Sequence, residues 1–379
     1  MSRGSPAAEP AVPTGPGRGE LVALTGLRAW AALWIVAHHH RVFVADGLAE
    51  PWLGILDRGY LGVDVFFTLS GFVLAYNYGG RIRSAADHAR FVALRIARLY
   101  PLHLATLAAV VLLSQTAGIT GLTIRSPQDY VLDHNLLLHL LMVHGWGFGT
   151  GLRFNRPSWS ISAEFFAYLL FPLAWAVAVR FRKPLAAAAA ALAASLLTVA
   201  CLRALGHESL HVPTGHVLIR VSGEFLAGCL AWRCLSLLGG AVLSAWPTAL
   251  LVLGWLALAA SPLAEPWLAP ASVVLVALLA AGRGHSLRLF AARPVVFLGR
   301  ISYSIYLTHM LVMAALQRIL PSRQLPELDP PAAAAVLVAH AAAIVGFAAL
   351  TYYAIERPAR DALRARIRRW LPERTGSPG

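Results

Sequence analysis

Leu24-Thr25-Gly26-Leu27-Arg28-Ala29-Trp30-Ala31-Ala32-Leu33-Trp34-Ile35-Val36-Ala37-His38-His39-His40 is an apolar run broken by one arginine and closed by three histidines. A membrane-crossing helix takes about 20 mostly apolar residues, and an ionisable group inside one is costly unless it faces the bundle interior. Arg28 and His39 are 11 positions apart. On a helix this is about 1100° of rotation, which leaves them about 20° from a common face with an axial offset of about 16 Å. One edge would thus carry a guanidinium at one level and an imidazole at another. His38 and His40 point about 100° to either side, so only one ring of the three shares the Arg28 edge.

The rest of the chain repeats the apolar pattern. Of 379 residues, 58% are hydrophobic and 13% charged, and the mean hydropathy is +0.63. Soluble domains carry roughly a quarter charged residues, so a soluble enzyme is excluded. Apolar segments fall at about 22–44, 61–79, 99–117, 159–179, 185–205, 215–233, 242–260, 267–282, 297–319 and 332–354, the eighth being the weakest. The expected fold is therefore an all-α polytopic membrane protein with about ten transmembrane helices. The net charge of +14 does not indicate nucleic acid, because the basic residues fall in short clusters between apolar runs rather than on one face. Arg81, Arg83, Arg90, Arg95 and Arg98 share one connection, and Arg180, Arg182 and Lys183 another. Alternate connections hold far fewer, which by the positive-inside bias puts both termini in the cytoplasm.

Residues 1–20, rich in Gly, Pro and Ala and lacking the apolar core of a signal peptide, read as a disordered cytoplasmic leader. Residues 21–358 form the transmembrane domain, and residues 359–379 a basic cytoplasmic tail. In the tail Leu363, Ile367, Trp370 and Leu371 recur at helical spacing among arginines, which suits a helix lying on anionic lipid or simply a solvated tail. The long connection at about 118–158, with its Gly-rich stretch Gly145 to Gly151, is either a re-entrant lid or a flexible loop. Cys201, Cys229 and Cys234 read as buried small hydrophobes, and no metal is expected.

Other polar residues punctuate the spans. By topology Asp64, Glu164 and His309 fall at or near the outer level of His39, each from a different helix. Arg95 and Arg98, three apart, sit at the opposite edge with Arg300 and the Glu356-Arg357-Pro358 turn, where they could hold phosphate oxygens or act as positive-inside anchors. Glu224, deep in the sixth span, is another intramembrane acid, which a structural partner such as Arg220, one turn away, explains about as well as catalysis does. The residue types suit a phosphate-bearing donor at the inner edge and a general base near the outer face, but they would equally serve a proton-coupled transporter.

The Arg28-to-His39 spacing resembles the membrane-bound acyltransferase 3 family of O-acyltransferases. Further matches follow in order: Gly62-Val63-Asp64-Val65-Phe66-Phe67, Arg95-Ile96-Ala97-Arg98 before Tyr100-Pro101, Pro157-Ser158-Trp159-Ser160-Ile161-Ser162-Ala163-Glu164, Gly299 to His309, and Glu356-Arg357-Pro358. Two departures stand out. The histidine is one of three, and Phe165 replaces the second acid of the Glu-Glu-Gln that many relatives carry after the first Glu. The Glu164-Phe165-Phe166 form looks more like relatives acting on macrolides and other secondary metabolites. Some relatives carry a fused extracytoplasmic hydrolase-like domain, which is not expected here.

The resemblance implies a multi-pass protein of the cell membrane, the bacterial inner membrane, that moves an acyl group, commonly acetyl, from acyl-CoA on the cytoplasmic side to a hydroxyl of a glycan or small-molecule acceptor. Arg28 and His39 would be the central pair, and Arg95 and Arg98 would bind the donor. Asp64, Glu164 or His309 would orient His39 or the acceptor. The partners are then acyl-CoA, the acceptor and the lipid bilayer, with no nucleic acid. The rival is a proton-coupled transporter or exporter using the same histidines and carboxylates, although no inverted repeat supports it. A metal transporter reading His38 to His40 as ligands is weaker, since consecutive helical residues diverge.

Overall fold

The computed structural model describes residues 21–41, 52–120, 127–239, 245–261, 264–282, 287–319 and 330–371. The expected leader and the end of the tail lie outside them. Every regular element there is a helix. In chain order they are α1 (Val22–His40), α2 (Trp52–Asp57), α3 (Gly62–Tyr78), α4 (Ala85–Thr120), α5 (His134–Leu140), α6 (Trp159–Leu169), α7 (Phe171–Ala178) and α8 (Pro184–Ala204). Then come α9 (Val217–Leu237), α10 (Ala245–Ala260), α11 (Ala264–Ala281), α12 (Arg288–Ala291), α13 (Arg293–Arg300), α14 (Ser302–Ile319), α15 (Pro330–Thr351) and α16 (Arg357–Trp370).

Each expected span coincides with a helix, but not each is long and apolar enough to cross a membrane by itself. Five stretches are: Trp52–Tyr78, Ala85–Ala117, Pro184–Ala204, Ala264–Ala281 and Pro331–Trp370. Two bent pairs raise the number to seven, Arg156–Leu169 with Phe171–Ala178 at 60° and Arg293–Arg300 with Ser302–Ile319 at 70°. The first bend has a local cause. Pro172, in the first turn of α7, has no N–H to continue the α6 ladder, so the helix stops at Leu170 and restarts. Among the described residues α1, α9 and α10 fall short of that measure, so five to seven helical stretches stand where the hydropathy pattern leads one to expect ten spans. On α9 the shortfall has a visible reason, because it carries Arg220, Glu224 and Arg233.

The polarity is inverted relative to a soluble protein. Leu185, Leu197, Val338, Phe347 and Leu350 are exposed on the outside of α8 and α15, while Asp64, Arg220, Glu224, His309 and Glu356 are buried. Hydrocarbon can solvate the first group, and the second must be satisfied by its neighbours. Helix α9 does much of this. Arg220 donates from Nε to Asp64 Oδ1 at 2.7 Å and from Nη2 to Asp64 Oδ2 at 2.6 Å, a bidentate pair from α9 to α3, and its Nη1 reaches Leu210 O at 2.8 Å. Glu224, one turn on, accepts from Thr68 Oγ1 of α3 at 3.1 Å and Ser195 Oγ of α8 at 2.7 Å. Arg220 therefore serves Asp64 across the interface rather than Glu224 along its own helix, which corrects the pairing expected from spacing. The reason is that a guanidinium fork matches a carboxylate best face-on, which a neighbouring helix permits.

The α3–α9 contact is also close at the backbone. A Cβ on Gly71 would stand 1.9 Å from Phe225 O, and one on Gly228 would stand 2.1 Å from Thr68 O. Small residues let helices approach in this way.

The connection before α6 is not a loose loop. Asp133 caps α5, and donation from the Asn135 side chain and N–H holds its carboxyl below the usual carboxylate range. Beyond α5, Met142 adopts a left-handed φ of 55° and turns the chain inward. Ser162 Oγ on α6 donates to Met142 O at 2.7 Å and accepts from Gly145 N–H at 2.9 Å, and Trp146 Nε1 donates to Ser162 O at 3.0 Å. Asn155 Nδ2 donates to Leu307 O on α14 at 3.0 Å. The described part of this connection is thus packed against α6 and α14 rather than loose. At the other end α15 runs through a π-helical turn, Tyr352–Glu356, into α16, which packs along α4.

Two outcomes check this account. Asp64→Ala leaves an unpaired buried guanidinium and should cost about 3–5 kcal/mol, read as a fall in the thermal unfolding midpoint in detergent, whereas Asp64→Leu with Arg220→Met should recover most of it. Gly228→Ala should cost about 1–3 kcal/mol by pushing α3 from α9. Gly346→Ala, where nothing lies within 4 Å of an added Cβ, should leave the midpoint unchanged.

Candidate active site

Helix α1 is unbroken from Val22 to His40, so Arg28 and His39 keep the expected shared edge at two depths. At the Arg28 level, one cavity between α1, α3, α4, α6 and α14 is lined by Arg28, Arg95, Arg98, Glu164, Tyr168 and Tyr303 among others. Three guanidiniums and one carboxylate face the same space. Arg95 is held by donation from Nη2 to Tyr78 OH at 3.0 Å and lies over the Tyr78 ring at 5.3 Å, and its Nε is buried without a partner. Glu164 accepts from Ser70 Oγ at 2.6 Å and Tyr168 OH at 2.5 Å. Tyr303, opposite, donates to Leu99 O at 2.5 Å, which fixes α14 against the arginine-bearing turn of α4.

Glu164 therefore lies with the arginines rather than with His39, which corrects the common level expected for it. Its hydrogen-bond partner Ser70 is six residues beyond Asp64 on α3, about 9 Å further along the axis. The packed connection accounts for the displacement, because Pro157 and Ser158, at the head of α6, are already buried in the bundle. Asp64 is likewise not a partner of His39, since both of its oxygens are taken by Arg220.

His309 alone of the expected partners meets His39. Its Nε2 lies 3.3 Å from His39 Nδ1, with ring centroids 5.0 Å apart. The tautomers follow from the carbonyls nearby. His309 Nδ1 faces Tyr306 O at 2.7 Å and must carry hydrogen to bond there, which leaves Nε2 an acceptor. His39 Nδ1 then is the donor, shared between His309 Nε2 and Ile35 O at 2.9 Å. Nε2 of His39 keeps the lone pair, and the ring is held at an angle its neighbours set. The pair sits one helical turn past Tyr306, which lines the cavity and donates from its hydroxyl to Pro157 O at 2.8 Å.

The other two histidines of the triplet are engaged elsewhere. His38 Nδ1 bonds to Leu56 O at 2.9 Å, and its Nε2 is 2.9 Å from Arg41 Nη1. His40 Nε2 lies 3.3 Å from His340 Nδ1 on α15. Ser70, Tyr78, Tyr168 and Tyr303 are not singled out individually by the sequence. For Ser70 and Tyr168 it is their convergence on Glu164 that gives them a place.

A family model described as an acyltransferase domain matches residues 21–352. "Acyltransferase MdmB" of Streptomyces mycarofaciens is 40% identical over 159 residues, 40% of this chain and 38% of the relative. "Protein 2 in picA locus" of Rhizobium radiobacter is 41% identical over 88 residues, 23% of this chain and 42% of the relative. "Putative O-acetyltransferase SACOL0978" of Staphylococcus aureus (strain COL) is 27% identical over 165 residues, 40% of this chain and 24% of the relative. The chain spans less than half the length of these curated relatives. No solved structure matches it. The family match runs from the head of α1 through both the arginine cavity and the histidine pair, and on it the chain belongs to the acyltransferase 3 family.

Proposed function

We propose that the protein is a membrane O-acyltransferase that moves an acyl group, acetyl in the first instance, from a cytoplasmic coenzyme A thioester to a hydroxyl of a sugar, polysaccharide or glycosylated, macrolide-type metabolite. The observation that carries this reading is the free Nε2 lone pair of His39 on the same helix edge as Arg28, whose end of the bundle opens into a cavity with three guanidiniums. The names of two curated relatives, an acyltransferase and an O-acetyltransferase, support it.

In this mechanism Arg28, Arg95 and Arg98 hold the phosphates of the donor, and Glu164 offsets part of their mutual repulsion through its own place in the cavity. The pantetheine arm extends from there along the α1 edge toward His39. An acceptor hydroxyl within reach of His39 Nε2 gives up its proton as its oxygen attacks the thioester carbonyl. The carbon–sulfur bond breaks, and the departing thiolate takes the same proton back from His39. His309 is a positioning residue: it fixes the His39 tautomer and shares the positive charge while the proton is held. Asp64 acts through the α3–α9 contact. The arginine end faces the cytoplasm, as the clusters of Arg81 to Arg98 indicate under the positive-inside bias.

In membranes supplied with acetyl-CoA and an acceptor extract, His39→Ala should lower transfer by about 10²–10⁴-fold, whereas His38→Ala, inserted at equal level, should lower it by less than about tenfold. Undiminished transfer by His39→Ala would overturn the assignment. Arg95→Ala and Arg98→Ala should each raise KM for the thioester by about tenfold or more with a smaller change in kcat. An effect confined to kcat would remove them from donor binding.

A further inference from the structure

The packed connection before α6 holds a second group of histidines on which the proposed chemistry does not draw. His103 comes from α4, His139 from α5 and His144 from the turn beyond it, and all three are buried. The His139 and His144 rings are stacked 3.7 Å apart with 9° between their planes, and His103 lies 5.6 Å from His144 with its plane tilted 2°. One ring nitrogen from each lies within 4.8 Å of one from both others.

Their protonation is largely dictated by neighbours. His103 Nε2 faces His139 O at 2.8 Å, so it must be the donor, and Nδ1 is left with a lone pair. His144 Nε2 is 3.0 Å from Ser158 Oγ, whose single hydrogen goes to Asn155 O at 2.7 Å. His144 Nε2 is therefore a donor as well, and its Nδ1 again carries a lone pair. Nδ1 of His103, His139 and His144 are each buried without a hydrogen-bond partner. Buried ring nitrogens are ordinarily satisfied, and here three in one cluster are not. Donation from the far nitrogen to a carbonyl or hydroxyl is also the arrangement that orients imidazoles on a metal.

We propose that His103, His139 and His144 form a site for a divalent transition-metal cation of the zinc type, bound through Nδ1 of each ring. Three neutral imidazoles with no carboxylate in the cluster are a borderline nitrogen donor set, suited to zinc, copper or nickel rather than to magnesium or calcium. A cation about 2.0–2.1 Å from each nitrogen requires the stacked His139 and His144 rings to turn out of their parallel planes so that their in-plane lone pairs converge. The fourth position is left to water. The metal ties the connection to α4. Through Ser158 to α6 and Asn155 to Leu307, that connection braces the helices carrying Glu164 and His309. The role is structural, and it is independent of the acyl-transfer reading.

The test uses the full chain carrying a tag without histidines, purified in detergent and dialysed free of metal. Elemental analysis should find about one zinc-type ion per chain, and His139→Asn with His144→Asn should lower this at least tenfold. His207→Gln, at the His207–His216 pair elsewhere, should retain it. Stripping the wild-type protein with a chelator should lower its thermal midpoint, which stoichiometric Zn²⁺ restores and Mg²⁺ does not; this holds the test open if the double variant fails to fold. Wild-type protein with no bound metal and no midpoint shift on adding Zn²⁺ would overturn the site. So would a folded double variant that keeps its full metal content.

Discussion

A guanidinium placed where water cannot reach must find all its counter-charge on neighbouring backbone and side chains, and Arg220 does so at the centre of the bundle. Its bidentate hold on Asp64 joins α9 to α3, and the Leu210 carbonyl ties the same group to the chain before α9. Glu224 repeats the device one turn on by drawing hydroxyls from α3 and α8. Removing either charge alone leaves the other without a solvent, so helix register is enforced by desolvation more than by attraction. That register places Ser70 under Glu164 and Phe66 against Tyr306, and the cavity and histidine pair inherit their positions from it.

Along the axis, the bundle sorts its polar groups into two kinds of neighbourhood. At the arginine level several like charges face a shared space, an arrangement stable only with an anion or a carboxylate to balance it. At the histidine level two rings are ordered by carbonyls, and the nearest guanidinium, Arg41, is turned onto His38. The proposed coenzyme A donor, with phosphates at one end and a thioester at the other, would span this separation, with α1 setting the spacing between the two.

Much of this was legible in the chain. Eleven residues at 100° each put Arg28 and His39 on one edge whatever surrounds them, and α1 keeps that relation because nothing interrupts it. Apolar runs located the helices equally well, since burial in hydrocarbon leaves a compositional mark. What hydropathy does not encode is where a helix begins within the bundle, and so span edges alone set Glu164 at the His39 level rather than with the arginines. Its true level depends on the inward turn at Met142 and the break at Leu170. The partner of Asp64 was hidden for a related reason: residues 156 apart in sequence carry no local signal of contact. The histidine trio, at separations of 36 and 5, has no metal-motif spacing and emerges only when the connection is folded.

Nδ1 of His309 ends on the Tyr306 carbonyl, an oxygen with no hydrogen to pass onward. The two rings are thus a dead-end siding and not a wire: a proton entering at His39 can go no further than His309 and must leave by the way it came. In the proposed transfer this suffices, because the hydrogen the alcohol would lose is the one the departing sulfur would take.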